Sequence, residues 1–319
     1  MNPLRRAYRG LLRLAQDGLA RCGLNVALTR DYYSPLPVRR ELLRHRERWN
    51  RPSALIGVDY DLDAMKALHR DLVERFYGEW RELPPYAECK KMGYGPGFTE
   101  LDAMGLYMML RHRRPRRFVE VGSGLSTWYA AQAIARNAAE GHPGELLAID
   151  PWASEKVRSI AGLEVLRQPV QDAPFEVFEA LGEGDVLFID STHVVKIDGD
   201  VPHLYLEVVP RLRQGVLVHA HDVHFPYNVP HPAEQYVVRR KWGWYWTEAM
   251  LLQAFLAFNR EFEMVLSLPL LRYFDEEFLR SSTPGYRGVE VEDHDSHFGS
   301  IWFGRRAPSG ARSTQRAGR

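Results

Sequence analysis

The chain has 319 residues, and its 45% hydrophobic and 12% aromatic content supports a buried core and excludes a wholly disordered protein. Its formal net charge of +1 gives no electrostatic reason to expect a nucleic-acid partner. Cys22 and Cys89 are the only cysteines, which excludes a disulfide framework or a cysteine-based zinc cluster and suits a reducing cytoplasm.

The first hundred residues are predicted to form helices and loops. Residues 1–24 carry apolar side chains at helical spacing together with five arginines. That pattern fits a transit peptide or a membrane-surface helix, but no cleavage-site pattern is evident. We therefore expect a helix that packs on the body or on a partner subunit, with a homodimer as one arrangement. No apolar run reaches the roughly 20 residues of a membrane span, so we expect no integral membrane segment.

Two further helices are predicted in this part of the chain. "DLDAMKALHRDLVERFYGEW" begins with an aspartate that can cap a helix, and "TELDAMGLYMMLRHRRP" follows the turn-rich "GYGPGF". Tyr32 and Tyr33 lie in a proline-bracketed loop that can fold over a ligand.

From Arg116 onward, short apolar runs alternate with helical segments. Runs without polar alternation, separated by helices, indicate parallel strands that are buried on both faces. The predicted fold class is α/β, a doubly wound Rossmann-like sheet whose ligands bind beyond the carboxyl ends of the strands. The predicted division is a helical N-terminal extension over 1–100, the sheet domain over 101–306 and a disordered basic tail over 307–319. The seven runs are RFVEVG, ELLAID, LEVLRQ, DVLFID, GVLVHAHD, FEMVLSL and SIWFGRR.

The first strand leads into "FVEVGSGLST". Gly122 and Gly124 allow a tight turn and a close approach of a ligand to the backbone, and Ser126 and Thr127 can cap the following helix. A dinucleotide fingerprint would have a third glycine where Thr127 stands. The acid Glu120 would repel a pyrophosphate and suits a cationic ligand that carries an amino acid.

This motif, with Asp150 at the end of the next strand and with "FIDSTH" and "HAHD" later, resembles the class I S-adenosylmethionine-dependent methyltransferases. Within that fold, the chain is similar to bacterial O-methyltransferases that act on sugars, natural products and cell-surface glycans. The resemblance covers about residues 90–306. It implies a seven-stranded sheet whose last strand is antiparallel, and a small-molecule or saccharide acceptor.

The resemblance also implies cofactor-binding positions. Gly122 and Gly124, with Ser126 beside them, would line the methionine part of S-adenosylmethionine, and Glu120 would lie near its ammonium. Asp150 would bind the ribose. Asp172 matches a position beside the adenine, but it can equally cap the helix that begins near Pro174.

Asp190, at the end of the fourth strand, is expected at the methyl-transfer site. In metal-dependent relatives this aspartate and a second one, here Asp222, help to hold Mg²⁺, and carboxylate oxygens suit that ion. His193 can accept the proton of the acceptor hydroxyl or can orient Asp190. Asp198 is expected in a turn, and Asp200 is left open between a turn and a further ligand.

The string "HAHDVH" places His219, His221, Asp222 and His224 within six residues, close to the ligand string of metallo-β-lactamase-type hydrolases. Strand alternation sends His219 and His221 to one face, where they can be core residues. The aspartate also comes one position early for that string. A zinc hydrolase is therefore disfavoured, with His221 left as a neighbour of Asp222 and His224 as a residue that can reach the substrate.

The segment 231–246 is rich in aromatic and basic residues and is expected to overhang the site as a lid, with packing on the body or a dimer contact as the alternatives. Its members are Arg239, Arg240, Lys241, Trp242, Trp244, Tyr245 and Trp246.

Three other functions compete with O-methylation. N- or C-methylation is disfavoured because "DSTH" stands where an aromatic "DPPY"-type string is usual. An NAD(P)-dependent oxidoreductase would need the missing third glycine and no acid at Glu120. The third alternative to O-methylation is a scaffold protein that has the same fold but no catalytic activity.

Overall fold

The computed structural model describes residues 3–24, 26, 32–95, 97–240, 243–288 and 298–306. The chain divides into two compact units, residues 1–49 and 50–319. This division falls earlier than the boundary predicted near residue 100, because the helix over Leu62–Trp80 packs on the sheet unit. The predicted tail, 307–319, lies outside the described residues.

The first unit is helical, as the sequence predicts for its part of the chain. Tyr32 and Tyr33 are exposed and their rings meet edge to face with centroids 5.1 Å apart. The helices of this unit are α1 (Pro3–Arg21), α2 (Arg39–Arg44) and α3 (Arg46–Trp49).

The second unit is built on one seven-stranded sheet with the order β3-β2-β1-β4-β5-β7-β6. The strands β1 to β5 pair in parallel, and β7 is antiparallel to both of its neighbours. The predicted Rossmann-like sheet with an antiparallel last strand is therefore confirmed. Its strands are β1 (Arg117–Val121), β2 (Glu145–Ile149), β3 (Leu163–Leu166), β4 (Val186–Ile189), β5 (Leu217–Ala220), β6 (Phe262–Ser267) and β7 (Ile301–Arg305).

Helices flank this sheet, and several begin at the polar residues that the sequence suggests. Asp61 Oδ1 accepts a hydrogen bond from the Ala64 amide at 3.0 Å, and Thr99 Oγ1 accepts one from the Asp102 amide at 3.1 Å. The helices of the unit are α4 (Leu62–Trp80), α5 (Tyr86–Cys89), α6 (Glu100–Arg113), α7 (Leu125–Ala139), α8 (Glu155–Arg158), α9 (Phe175–Glu179), α10 (Asp200–His203), α11 (Glu248–Leu256), α12 (Leu268–Phe274) and α13 (Glu276–Ser282).

The centre of the sheet forms the core. All residues of β4 and β5 are buried, as the uninterrupted apolar runs predict for strands covered on both faces. Parallel registers such as Val121 with Ile189, and Ile189 with Ala220, bring the carboxyl ends of β1, β4 and β5 to one edge. Among the described residues, no helix combines the length and apolar character needed to cross a bilayer.

Candidate active site

Polar residues converge where β1, β2, β4 and β5 end. Glu120 lies on β1, Asp150 follows β2, Asp190 follows β4 and Asp222 lies two residues after β5. Because parallel strands present their carboxyl ends at the same edge of a sheet, residues distant in sequence meet there.

Glu120 is completely buried, and its two oxygens have different surroundings. The Ser126 hydroxyl donates a hydrogen bond to Glu120 Oε1 at 2.5 Å, whereas Oε2 has no hydrogen-bond partner in the described part of the chain. Burial away from water raises the pKa of Glu120 to about 8, although the Ser126 hydrogen bond opposes the rise. Ser126 therefore orients Glu120, and it neither caps α7 nor presents a free hydroxyl.

The two glycines shape the turn between β1 and α7 in different ways. Gly122 has a φ of +93°, and a Cβ at this position would collide with the Asp190 carbonyl oxygen. Gly124 is the residue that precedes α7, with an extended φ of 170°, and its amide donates to Thr127 Oγ1 at 2.9 Å. The carbonyl oxygen of Tyr94 lies 3.5 Å from where a Gly124 Cβ would be, so Tyr94 lies close to this turn.

Asp150 is a half-buried carboxylate beside the same turn. It accepts a hydrogen bond from the Ser123 hydroxyl, and its Oδ1 accepts one from the Trp152 amide at 2.8 Å. Asp172 is exposed and belongs to a short turn of 3₁₀ helix over Val170–Asp172. The N-cap of α9 is Pro174, so the capping alternative for Asp172 is wrong.

Asp190, His193 and Asp222 form a compact group at the ends of β4 and β5. His193 Nε2 lies 3.4 Å from Asp190 Oδ1 and 3.5 Å from Asp222 Oδ2, and one ligand atom from each of the three residues lies within 4.8 Å of the others. His193 and Asp222 both adopt the left-handed backbone region, with φ of 60° and 58°. Such strain in residues other than glycine concentrates at functional sites.

A buried carboxylate fixes the ring of His193. His193 Nδ1 lies 2.7 Å from Glu248 Oε2, and the Tyr205 hydroxyl donates to Glu248 Oε1 at 2.6 Å. The His193 carbonyl accepts from the amide of Thr247 at 2.8 Å. Burial favours the neutral ring, but the hydrogen bonds to Asp190 and Glu248 prevail and raise the pKa of His193 to about 10.

His221 has a second carboxylate at its far nitrogen. Its Nε2 lies 3.2 Å from Asp102 Oδ2, while its Nδ1 lies 3.3 Å from Asp190 Oδ1 and 3.7 Å from Asp222 Oδ2. Asp102 also accepts from the Gly299 amide. The four carboxylates and two imidazoles thus form one connected group.

Sequence reasoning missed Asp102 and Glu248. Asp102 stands in the first turn of α6 and Glu248 at the start of α11, positions where an acid is usual because it favours the helix N-terminus. Their burial, at 1% exposure each, is what distinguishes them, and it is not visible in the sequence.

The other two histidines of the "HAHDVH" string do not reach this group. His219 is fully buried and stacks between Phe188 and Trp302, with ring centroids 4.5 and 4.0 Å away. Burial lowers the pKa of His219 to about 3. His224 is also buried, with its ring 5.7 Å from that of Tyr236, so it does not present itself to a substrate. The zinc-hydrolase arrangement is therefore not formed.

The two aspartates after β4 shape the loop that carries His193. Asp198 has a φ of 58° in a turn, as expected. Asp200 starts α10 and accepts hydrogen bonds from the Thr192 amide at 2.8 Å and the Thr192 hydroxyl at 2.6 Å. Asp200 therefore fastens the segment next to His193 and is not directed at the group of ligand atoms.

Among the described residues of the aromatic segment, Trp246 contacts His193. The Trp246 ring lies 4.6 Å from the His193 ring, and Trp244 stacks on Trp246 with centroids 4.7 Å apart. The Arg240 guanidinium lies 3.3 Å above Trp244, and Arg239 is 3.4 Å from Glu234. Lys241 and Trp242 lie outside the described residues.

Residues 119–223 match the sequence model of a family described as "Methyltransferase domain". The matched segment contains the polar ends of β1, β2, β4 and β5, including Glu120, Asp150, Asp190 and Asp222. An uncharacterized protein from Archaeoglobus fulgidus is 27% identical over 162 residues, which cover 48% of this chain and 72% of that protein. The predicted resemblance to class I methyltransferases is confirmed.

Solved structures with similar folds include three methyltransferases. One from Geobacter sulfurreducens, at 16% identity and a TM-score of 0.40, covers 73% of this chain and 98% of its own. The O-methyltransferase of Bacillus cereus, in complex with S-adenosylhomocysteine, is 12% identical with a TM-score of 0.39 and covers 77% and 100%. The O-methyltransferase TomG of Streptomyces achromogenes, involved in tomaymycin synthesis and in complex with S-adenosylmethionine, is 16% identical with a TM-score of 0.39 and covers 83% and 99%.

Proposed function

We propose that this chain is an S-adenosylmethionine-dependent methyltransferase that methylates a hydroxyl oxygen on a small molecule, a sugar or a glycan. The observation that carries the proposal is Glu120. It is a buried carboxylate with one oxygen lacking a hydrogen-bond partner in the described part of the chain, next to the glycine turn of the matched segment.

A buried, unpaired carboxylate oxygen is costly unless a cationic group pairs with it. The ammonium of S-adenosylmethionine is such a group, whereas the anionic pyrophosphate of an NAD(P) cofactor, which binds at the glycine turn of that class, is not. Ser126 holds the other oxygen, so Glu120 is already oriented when the ligand arrives. This is the fit that favours S-adenosylmethionine over an NAD(P) cofactor.

Asp150 is the proposed ribose-binding residue. Its Oδ1 and Oδ2 are oriented by the Trp152 amide and the Ser123 hydroxyl, and each carboxylate oxygen retains capacity for another donor. The two hydroxyls of a ribose are suitable donors. Asp172 is exposed, and we propose it only as a contact beside the adenine.

The reaction is a single displacement. A lone pair of the acceptor oxygen forms the new O–C bond to the methyl carbon, and the S–C bond breaks with its electron pair going to sulfur. The sulfonium becomes a thioether, and the proton of the acceptor oxygen passes to His193 Nε2 when that nitrogen is unligated and to solvent water when it is not. Such a step mainly requires that acceptor and sulfonium be aligned, which is the part assigned to Asp190 and the glycine turn.

A divalent ion at Asp190 and Asp222 would lower the pKa of the acceptor hydroxyl and orient it; Mg²⁺ is the ion that the sequence suggests. His193 Nε2 points at both aspartates, 3.4 and 3.5 Å away. That nitrogen serves one role at a time, either as acceptor of the hydroxyl proton or as a ligand of the ion.

We propose that the aromatic segment covers the acceptor. Trp246 lies against His193, and Trp244 continues the stack outward with Arg240 on its far side. Aromatic faces of this kind stack on apolar rings and on the C–H faces of sugars.

Titration calorimetry with S-adenosylhomocysteine and, separately, with NADH and NADPH separates the proposal from its alternatives. The proposal expects micromolar-range binding of S-adenosylhomocysteine and none of either nicotinamide. The reverse preference would favour the oxidoreductase. Binding of neither would favour the scaffold, which retains the fold without a cofactor.

A further inference from the structure

We infer that Asp190, His193 and Asp222 bind a divalent transition-metal ion of the Mn²⁺, Fe²⁺, Co²⁺ and Zn²⁺ class, with His193 Nε2 as a direct ligand. The inference rests on the proposed function and names the ion of its site. It replaces Mg²⁺ as the preferred ion and assigns His193 to the ion in preference to the acceptor proton.

The donor atoms of the three residues suit a transition-metal ion better than Mg²⁺. Mg²⁺ prefers oxygen ligands and keeps several waters, whereas imidazole nitrogen suits transition-metal ions. The group that can converge on one ion contains a histidine together with two aspartates. Asp190 and Asp222 alone fit Mg²⁺, but the imidazole between them does not.

The distances from His193 Nε2 to the two aspartates also fit a shared ion. An ion with bonds of about 2.0–2.2 Å separates neighbouring ligands by roughly 2.9–3.5 Å, from octahedral to tetrahedral geometry. His193 Nε2 lies 3.4 Å from Asp190 Oδ1 and 3.5 Å from Asp222 Oδ2. Both separations are those expected between neighbouring ligands of one such ion. The ligand atoms of all three residues lie within 4.8 Å of one another, which is compact enough for them to converge on one ion.

A buried carboxylate also fixes the orientation of the His193 ring. Metal-binding histidines usually donate their other ring nitrogen to a carboxylate or a carbonyl, which fixes the ring orientation and raises the basicity of the ligating nitrogen. His193 Nδ1 lies 2.7 Å from Glu248 Oε2, and Glu248 is held in turn by the Tyr205 hydroxyl at 2.6 Å. Glu248 is therefore a positioning residue for the ion.

The backbone of two of the three residues adopts an uncommon conformation. His193 and Asp222 both have φ near +60°, a left-handed conformation that is uncommon for residues other than glycine, although asparagine, aspartate and histidine adopt it more readily than most. The His193 carbonyl is tied to the amides of Thr247 and Glu248 at 2.8 and 3.1 Å, so the strained conformation is held in place. The strain aims two side chains from different strand ends at one point.

The competing explanation is that His193 only forms ion pairs with the aspartates and later accepts a proton. Both explanations require His193 for activity, so activity cannot separate them. Direct measurement of the bound ion can, and it does not depend on knowing the acceptor.

The test is a titration of chelator-treated full-length protein with Co²⁺, followed by its visible absorption, and then with Mg²⁺ as competitor. We expect one Co²⁺ per chain with ligand-field bands, and less than half of it displaced by a hundredfold excess of Mg²⁺. Displacement by an equal concentration of Mg²⁺ would overturn the inference, as would the absence of Co²⁺ binding.

His193→Asn is the decisive variant, because asparagine tolerates the left-handed backbone and is too short to place a ligand atom where Nε2 lies. It should weaken Co²⁺ binding about a hundredfold while leaving Mg²⁺ binding within about threefold. Glu248→Gln, which leaves the ligands intact, should weaken Co²⁺ binding about 10–100-fold. His142→Asn, at an exposed position, is the control and should change nothing.

Unchanged Co²⁺ affinity in both His193→Asn and Glu248→Gln would overturn the inference and leave His193 as the proton acceptor. Titration with S-adenosylhomocysteine is run on the same samples. Co²⁺ binding without S-adenosylhomocysteine binding would refute the proposed function alone, and the opposite result would refute the choice of ion alone.

Discussion

His193 Nδ1 lies 2.7 Å from Glu248 Oε2, across a separation of 55 residues. The contact joins the loop after β4 to the first turn of α11. It orients the ring so that Nε2 of His193 faces Asp190 and Asp222. Asp102 does the same for His221 across 119 residues. Two buried acids on helices thus orient two imidazoles at the ends of the strands.

The pH dependence of cofactor binding follows from Glu120. Burial raises its pKa to about 8, so the free protein holds the proton at neutral pH, and pairing with an ammonium requires its loss. Between about pH 6 and 7.5 the affinity for S-adenosylhomocysteine should rise about tenfold per pH unit, with one proton released. Calorimetry in buffers of different ionisation enthalpy measures the release. A Glu120→Gln variant with the same slope would contradict this assignment.

The raised pKa of Glu120 also predicts how the free energy of unfolding changes with pH. The folded pKa of about 8 lies above the ordinary 4.5, so the native state binds the extra proton and the free energy of unfolding should fall as pH rises from 4.5 toward 8. Glu120→Gln should remove that part of the slope in denaturant titrations without ligand. An unchanged slope would mean that Glu120 ionises normally in the folded protein.

Asp150 and Asp172 should differ in their effects on the cofactor. Asp150→Asn removes charge-assisted acceptors for the ribose hydroxyls and should weaken S-adenosylhomocysteine binding by about 10–100-fold. Asp172→Asn, at an exposed position, should weaken it by less than about threefold. Equal losses in calorimetric titrations of the two variants would mean that Asp150 has no special part in binding.

Alanine substitutions at Gly122 and Gly124, in the turn after β1, should differ in their effect on stability. Gly122→Ala forces a side chain into a φ of +93° and against the Asp190 carbonyl, and should lower the free energy of unfolding by about 2 kcal/mol or more. Gly124→Ala meets its nearest atom, the Tyr94 carbonyl oxygen, at 3.5 Å in extended backbone, and should fold normally. Denaturant titration of both variants checks the difference, and equal stability would contradict it.

His219 should be replaceable by phenylalanine. Neither ring nitrogen has a hydrogen-bond partner in the described part of the chain, and the ring is stacked 4.0 Å from Trp302. Because unpaired buried polar atoms cost free energy, His219→Phe should raise the free energy of unfolding by about 1 kcal/mol. His219→Ala, which leaves a cavity, should lower it by about 3 kcal/mol. Loss of bound Co²⁺ in His219→Phe would revive a metal role for this residue.

The lowered pKa of His219 should also make the folded protein less stable as the pH falls. Its pKa is lowered to about 3 from 6.5, so only the unfolded ring gains a proton as pH falls through 6.5, and the free energy of unfolding falls with it. His219→Phe should therefore flatten the loss of stability between about pH 6 and 4. Denaturant titrations at these pH values compare the variant with the wild type.

The strands were predictable because each is a short apolar run bounded by turn residues. The parallel pairing of β1 to β5 followed from the helices between them, whereas the antiparallel last strand was expected only from the resemblance to methyltransferases. The polar residues at the strand ends were predictable for the same reason, since Glu120, Asp150, Asp190 and Asp222 each stand at or just after such a run. The position of a polar residue at or just after an apolar run therefore predicts most of the residues at this edge of the sheet.

The rest depended on contacts that no local pattern encodes. Glu248 and Asp102 look like ordinary first-turn acids, and only the tertiary fold buries them against His193 and His221. Ser126 looked like a helix cap or a cofactor contact, but its hydroxyl donates to Glu120. His224 was left as a loop residue that can reach the substrate, yet its side chain is only 2% exposed.

The most direct test of the central claim is a calorimetric titration of the wild-type chain and two glutamate variants with S-adenosylhomocysteine at pH 7.5. We predict micromolar-range binding by the wild type, a loss of at least about tenfold in Glu120→Gln, and no change in Glu145→Gln, where the side chain is exposed. Absence of binding by the wild type, or equal binding by all three proteins, would contradict the account of Glu120 as the partner of the cofactor's ammonium.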